Sequence, residues 1–154
     1  MGRNCIRRHV RGVPAVKGLR PFGRLDGQRP SIVLSLDEYE AIRLLDHENL
    51  TQDEASKMMQ VSRPTLTRIY DRARKKYATA LVEGGILLVE GGEVTLQEHL
   101  FICEDCGELS KSSNGEHSQC PRCQSSRVRS LDDCYQNRCK QCRKCHQGGG
   151  NAKQ

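Results

Sequence analysis

The sequence predicts a mainly α N-terminal domain of three helices, followed by a small β module organised by cysteine and an irregular Cys-rich tail. Three observations carry this expectation. Two capping-box patterns, Ser35/Glu38 and Thr51/Glu54, each open a stretch with apolar residues at three- and four-residue steps. Two Cys-x-x-Cys pairs, Cys103/Cys106 and Cys120/Cys123, stand thirteen residues apart. Four more cysteines crowd between Cys134 and Cys145.

Composition limits the core. The chain has 154 residues, of which 36% are hydrophobic, with no Trp and two Phe. Several small modules fit this better than one large core. The net charge of +6 is unevenly spread: residues 1–30 carry eight Arg/Lys against Asp26 alone, and residues 31–50 carry Arg43 against five acids. Residues 51–83 and the tail are again basic. Separated basic blocks favour a polyanionic partner. No apolar run approaches the ~20 residues of a membrane span, and the basic N-terminus lacks the apolar stretch of a signal peptide. A cytoplasmic location is expected. There, nine cysteines are read as metal ligands rather than disulfides.

Residues 1–30, punctuated by Pro14, Pro21 and Pro30, read as a basic irregular arm. Residues 31–83 read as the helical domain. Ser35 opens a first helix with Leu36, Tyr39, Ile42 and Leu45 on one stripe; Thr51 opens a second with Ala55, Met58 and Met59 inward. Gln60-Val61 is the turn, at a position where positive φ often calls for Gly. Ser62 caps a third helix, Pro64 is tolerated in its first turn, and Leu66, Ile69, Ala73, Tyr77 and Ala80 continue the apolar face until Gly84-Gly85 stops it. Residues 84–99 predict a hairpin connector, Ile86–Val89 against Val94–Leu96 around Gly91-Gly92. Residues 100–130 form the first cysteine module and 131–154 the tail.

The second and third helices have helix-turn-helix spacing, with small Ala55 at the crossing and Val61 after the turn. That motif sets its second helix, here residues 62–81, in the major groove of double-stranded DNA. The face opposite the apolar one carries Arg63, Thr65, Thr67, Arg68, Arg72 and Lys75. Arg63, Thr65 and Arg68 are expected at or near base edges. Arg72, Lys75 and Lys76 should meet phosphates, with Ser62 offering a further phosphate contact at the helix N-terminus. Arg3, Arg7, Arg8 and Arg11 supply affinity from the arm.

Asp37–Leu44 (DEYEAIRL), Leu50-Thr51-Gln52, Val61-Ser62-Arg63, the opening Cys5-Ile6-Arg7-Arg8 and Leu19-Arg20-Pro21-Phe22-Gly23 resemble an uncharacterised prokaryotic family of predicted DNA-binding proteins. Its helix-turn-helix is similar to that of region four of sigma-70-type factors. The resemblance covers about residues 3–93. It implies a DNA-binding fold and names no target. The cysteine-rich remainder rests on spacing alone.

Cys103, Cys106, Cys120 and Cys123 have the spacing of a zinc ribbon. Two tight turns aim four thiolates at one point, the cage that structural Zn²⁺ accepts, with no position left for substrate. Phe101, Leu109 and Val128 would supply its few apolar contacts. In the tail, Cys134, Cys139, Cys142 and Cys145 suit a second Zn²⁺ or an iron–sulfur cluster, with His146 as an alternative ligand. Cys5 is left over as a free thiol.

The expected function is therefore sequence-specific DNA binding in transcription regulation, with the chain itself as a dimer partner and the transcription machinery as a further one. The competing reading is an iron–sulfur or metal-handling electron carrier whose helix-turn-helix serves protein contacts. Catalysis is not expected: His9, His47, His99 and His117 are scattered, with no nucleophile or carboxylate motif beside them.

Overall fold

The computed structural model describes residues 7–23 and 29–136. Its elements run β1 (Arg8–Val10), β2 (Gly18–Leu19), β3 (Ser31–Leu34), α1 (Leu36–Ile42), α2 (Gln52–Met58), α3 (Arg63–Glu83), β4 (Ile86–Val89), β5 (Val94–Leu96), β6 (His99–Cys103), β7 (Leu109–Ser112), β8 (Val128–Ser130) and α4 (Asp132–Gln136). About 36% of the described residues are helical and 22% lie in strands of three small sheets. The architecture is an α/β mix, which overturns the mainly α expectation.

The overlooked β structure is long-range, and that is why local pattern missed it. Val10 and Leu19 sit among Arg, Gly and Pro, in strands too short to show a period of two. Their partners lie some seventy to ninety residues further on. β2 pairs antiparallel with β4 (Leu19 opposite Leu87), and β3 pairs parallel with the other edge of β4 (Ile32 opposite Leu87). Parallel pairing demands a long crossover, which α1–α3 provide. β1 pairs parallel with β5. The hairpin expected over 84–99 is thereby also corrected. Both edges of β4 are already occupied, and Gly91 and Gly92, at φ 76° and 102°, carry the chain away to β1.

The helices start where their caps dictate. The Ser35 N–H donates to the Glu38 carboxylate at 3.0 Å, and the Thr51 N–H to Glu54 at 2.8 Å. α1 runs on into a π-helical turn, Arg43–His47, in which the Glu48 N–H reaches the Arg43 carbonyl at 2.9 Å. α2 ends in a Schellman arrangement. The Gln60 N–H bonds the Lys57 carbonyl, the Val61 N–H bonds the Ser56 carbonyl, and Gln60 takes φ 52°. Ser62 then caps α3 by accepting the Thr65 N–H.

Two apolar clusters result. Ala41, Leu44, Ala55, Met59, Leu66 and Ile69 fill the space between the first three helices. Met58 lies outside it, 43% exposed, because Met59 occupies the inward position of the last turn. The second cluster joins Val10, Leu34, Leu36, Ala73, Leu87 and Val89 to Leu100 of β6 and to Cys134 and Tyr135 of α4. Tyr77, expected inside, is 45% exposed. No helix among the described residues is long and apolar enough to cross a membrane.

Candidate metal centre and basic helix face

Cys103 ends β6, Cys106 sits in the turn to β7, and Cys120 and Cys123 lie in the turn before β8, in an antiparallel sheet of order β7-β6-β8. Their four sulfurs lie within 4.8 Å of one another. Cys103 faces Cys123, and Cys106 faces Cys120, both at 3.6 Å. A disulfide would need about 2.05 Å. A tetrahedron of thiolates about 2.3 Å from a central ion has sulfur–sulfur edges of about 3.8 Å. The sulfurs therefore have the spacing of a four-coordinate site and could hold a metal ion.

The two turns repeat one backbone pattern. The Cys103 N–H bonds the Glu108 carbonyl and the Cys120 N–H the Ser125 carbonyl; the Gly107 N–H returns to Cys103 and the Gln124 N–H to Cys120. Gly107 and Gln124 both take positive φ, 72° and 60°. The arrangement is thus two copies of one knuckle facing each other. Without an ion, the sulfurs cannot all carry charge. The N–H of Glu108 favours the Cys106 thiolate, but desolvation and the sulfurs of Cys123, Cys120 and Cys103 outweigh it, pushing its pKa up to about 12. Backbone N–H groups of Cys123 and Arg122 bring Cys120 down to about 7, against desolvation. A divalent cation removes this conflict by letting every sulfur ionise.

The cysteine-held sheet is stitched to the rest of the chain. The Asp132 carboxylate accepts the Leu100 N–H at 3.2 Å and lies 2.6 Å from His99 Nδ1. The Tyr135 hydroxyl donates to the Pro14 carbonyl at 2.7 Å, and the Gly91 N–H to the Tyr135 carbonyl at 2.6 Å. Cys134, the first tail cysteine, is 8% exposed in the core, with Arg129 Nη1 3.5 Å from its sulfur. Cys139, Cys142, Cys145 and His146 lie outside the described residues, as do Cys5 and Arg3.

The basic residues of α3 differ in their partners. Arg68 and Lys75 are exposed, with no ion pair among the described residues. Arg72 and Lys76 instead turn to the buried Glu38 of α1, at 3.6 and 2.6 Å. Arg63 leans on α2, 3.6 Å from Asp53 and 3.3 Å from Gln52, which also receives the Thr67 hydroxyl at 3.4 Å. The Ser62 and Thr65 hydroxyls are 2.8 Å apart. Arg7 is exposed, whereas Arg8 is bound to the buried Asp37 at 2.7 Å. The reading of the helix face missed Asp71, an exposed acid between Arg68 and Arg72, and Arg74, stacked 5.4 Å from the Tyr70 ring. It also missed the acids that hold the cations. The signal was present: residues 31–50 are acidic and residues 51–83 basic, and in a compact fold such blocks pair.

Comparison with known proteins locates the chain in a family. The family model described as "Protein of unknown function DUF134" matches residues 1–97. A "UPF0251 protein" of Chloroherpeton thalassium is 42% identical over 125 residues, 80% of this chain and 83% of its own. One of Caldicellulosiruptor saccharolyticus is 37% identical over 131 residues, 83% and 90% of the two chains. One of Moorella thermoacetica is 40% identical over 123 residues, 80% and 83%. These matches are longer than 97 residues, so the likeness reaches into the cysteine-bearing half. No solved structure matches. The chain belongs to this family.

Proposed function

We propose that this family member is a sequence-preferring double-stranded-DNA-binding protein that regulates transcription in the cytoplasm. In this reading α2, its Schellman turn and α3 act as a helix-turn-helix, and α3 enters the major groove. The observation that carries it is the outward face of α3. Arg68 and Lys75 are exposed and without an ion pair among the described residues, on a helix fixed from behind by Leu66, Ile69 and Ala73. Arg63 and Thr67, tied to Gln52, would be presented to bases with their side chains already restrained. Arg72 and Lys76 are shared with Glu38, so their part is weaker than sequence suggests.

The four-cysteine module is proposed as a structural zinc ribbon. Zn²⁺ would neutralise the thiolates and tie the two knuckles together, and four protein ligands leave no open position for catalysis. No enzymatic role is assigned.

The test is selection from a random duplex library by the metal-loaded full chain, followed by salt titration. A defined site should emerge. Arg68→Ala should lose about 1–3 kcal/mol of discrimination at one position. Lys75→Ala should weaken all duplexes alike and reduce the salt slope by about 1. Equal, sequence-independent losses from both would sink the reading.

A further inference from the structure

One segment contributes to neither the core nor the proposed DNA face. Leu19-Arg20-Pro21-Phe22 leaves the edge strand β2 and lies beside the C-terminal turns of α3. Phe22 is 97% exposed, Leu81 74%, Leu19 56% and Tyr77 45%. Together these side chains expose roughly 500 Å² of mostly apolar surface, near the top of the ~300–600 Å² range for the largest patch on a typical monomer. Beside Phe22 the surface sinks into a groove of about 480 Å³, walled by Leu19, Tyr77, Leu81 and Leu87, with Arg20 its one charged residue. A protruding aromatic ring next to an apolar hollow is self-complementary under a two-fold axis: each copy's knob can enter the other's groove.

We propose that this patch is the interface between two copies of the chain, with Phe22 of each copy seated against Tyr77 and Leu81 of the other. The chain's own tail is a poor alternative occupant, since residues 137–154 contain no Leu, Ile, Val, Met or aromatic residue. The other undescribed residues add only Met1, Ile6 and Leu25 as large apolar side chains. The exposed area also supplies most of the ~800 Å² per partner of a standard interface.

A second argument rests on the DNA reading. Arg68 and Leu81 are thirteen residues apart on one helix, or about 20 Å. Two copies joined near Leu81 would set their Arg68 side chains up to about 40 Å apart, and closer once the helices incline. Half-sites one helical turn apart are spaced by about 34 Å.

The experiment is sedimentation equilibrium of the metal-loaded full chain without DNA, from about 1 to 100 µM, the weak end of the range for standard-size interfaces, comparing the wild type with Leu81→Glu and Phe22→Ala. The wild type should weigh twice the 17.4 kDa of one chain, and each variant should raise the dissociation constant at least about tenfold, the loss expected of a central anchor. Phe22→Ala keeps the test decisive if Leu81→Glu fails to fold, because a side chain 97% exposed supports nothing in the monomer. A wild type monomeric throughout, or variants that dimerise as well as it does, would overturn the proposal. A monomer that still selects a DNA site would sink the interface and spare the DNA reading. A dimer that selects none would do the reverse.

Discussion

The two halves of the molecule hold their backbones in place by different means. From β1 to β5 the chain is fixed by burial: two apolar clusters, with Leu36, Leu44, Met59 and Leu66 at 0% exposure. From β6 to β8 almost nothing apolar is available. Leu100 and Phe101 are buried, yet Leu109, expected to help, is 39% exposed. The sheet there is organised around four sulfurs. The halves should therefore fail separately: one when its core is hollowed, the other when the proposed ion is withdrawn or a cysteine is lost. They meet at Leu100, Asp132 and Tyr135, where α4 returns to the first half.

The largest effect should come from the proposed metal site. Zinc bound there as proposed would contribute on the order of 10–16 kcal/mol, as it does in small zinc-dependent domains. Chelation, or Cys120→Ser, should abolish protection of amide protons in β6–β8 while α1–α3 keep theirs. Hydrogen exchange reads both at once, and loss of protection throughout the chain would show the halves to be one cooperative unit. Next is Leu66→Ala, which should cost about 2–5 kcal/mol in urea unfolding of the first half and leave the metal stoichiometry unchanged. A change in bound metal would break the separation from the other side. The smallest effect is at Thr51/Glu54. Hydrogen bonds from the Thr51 hydroxyl and N–H hold the exposed Glu54 carboxyl below its usual 4.5. A lowered native pKa stabilises above pH 4.5, and that stabilisation drains away as pH falls through the native value. Glu54→Gln should therefore lower stability slightly at pH 7, leave it unchanged below the native pKa, and so make the acid side of the stability profile slightly shallower.

What was legible in the sequence was what is local. Caps at Ser35, Thr51 and Ser62, the stop at Gly84, the inward Ala55, Leu66, Ile69 and Ala73, and the convergence of Cys103, Cys106, Cys120 and Cys123 all depend on residues a few positions apart. What escaped was settled between distant residues. Arg8–Val10 becomes a strand only because Val94–Leu96 lies beside it, and no property of RHV announces this. Arg8, Arg72 and Lys76 read as free cations until Asp37 and Glu38 of α1 are seen beneath them. Cys134 is buried in one cluster with Leu100 and Tyr135, a placement its spacing does not announce; the other tail cysteines lie outside the described residues. Gln60 was a misfit for its turn by residue type, yet it takes the positive φ the turn requires.

The parallel pairing of β1 with β5 and of β3 with β4 also bears on how the protein is born. The first strands to leave the ribosome have no partners until residues 86–96 follow. At about 5–20 residues per second that is an interval of roughly 3–17 s, longest for β1. Through that wait α1–α3 can form from near neighbours, whereas the arm stays unpaired and its sheets must close last, over long loops that slow folding. A chain truncated before Ile86 would carry its helices without the strands meant to cover them, leaving Leu34 and Leu36 short of their packing partners.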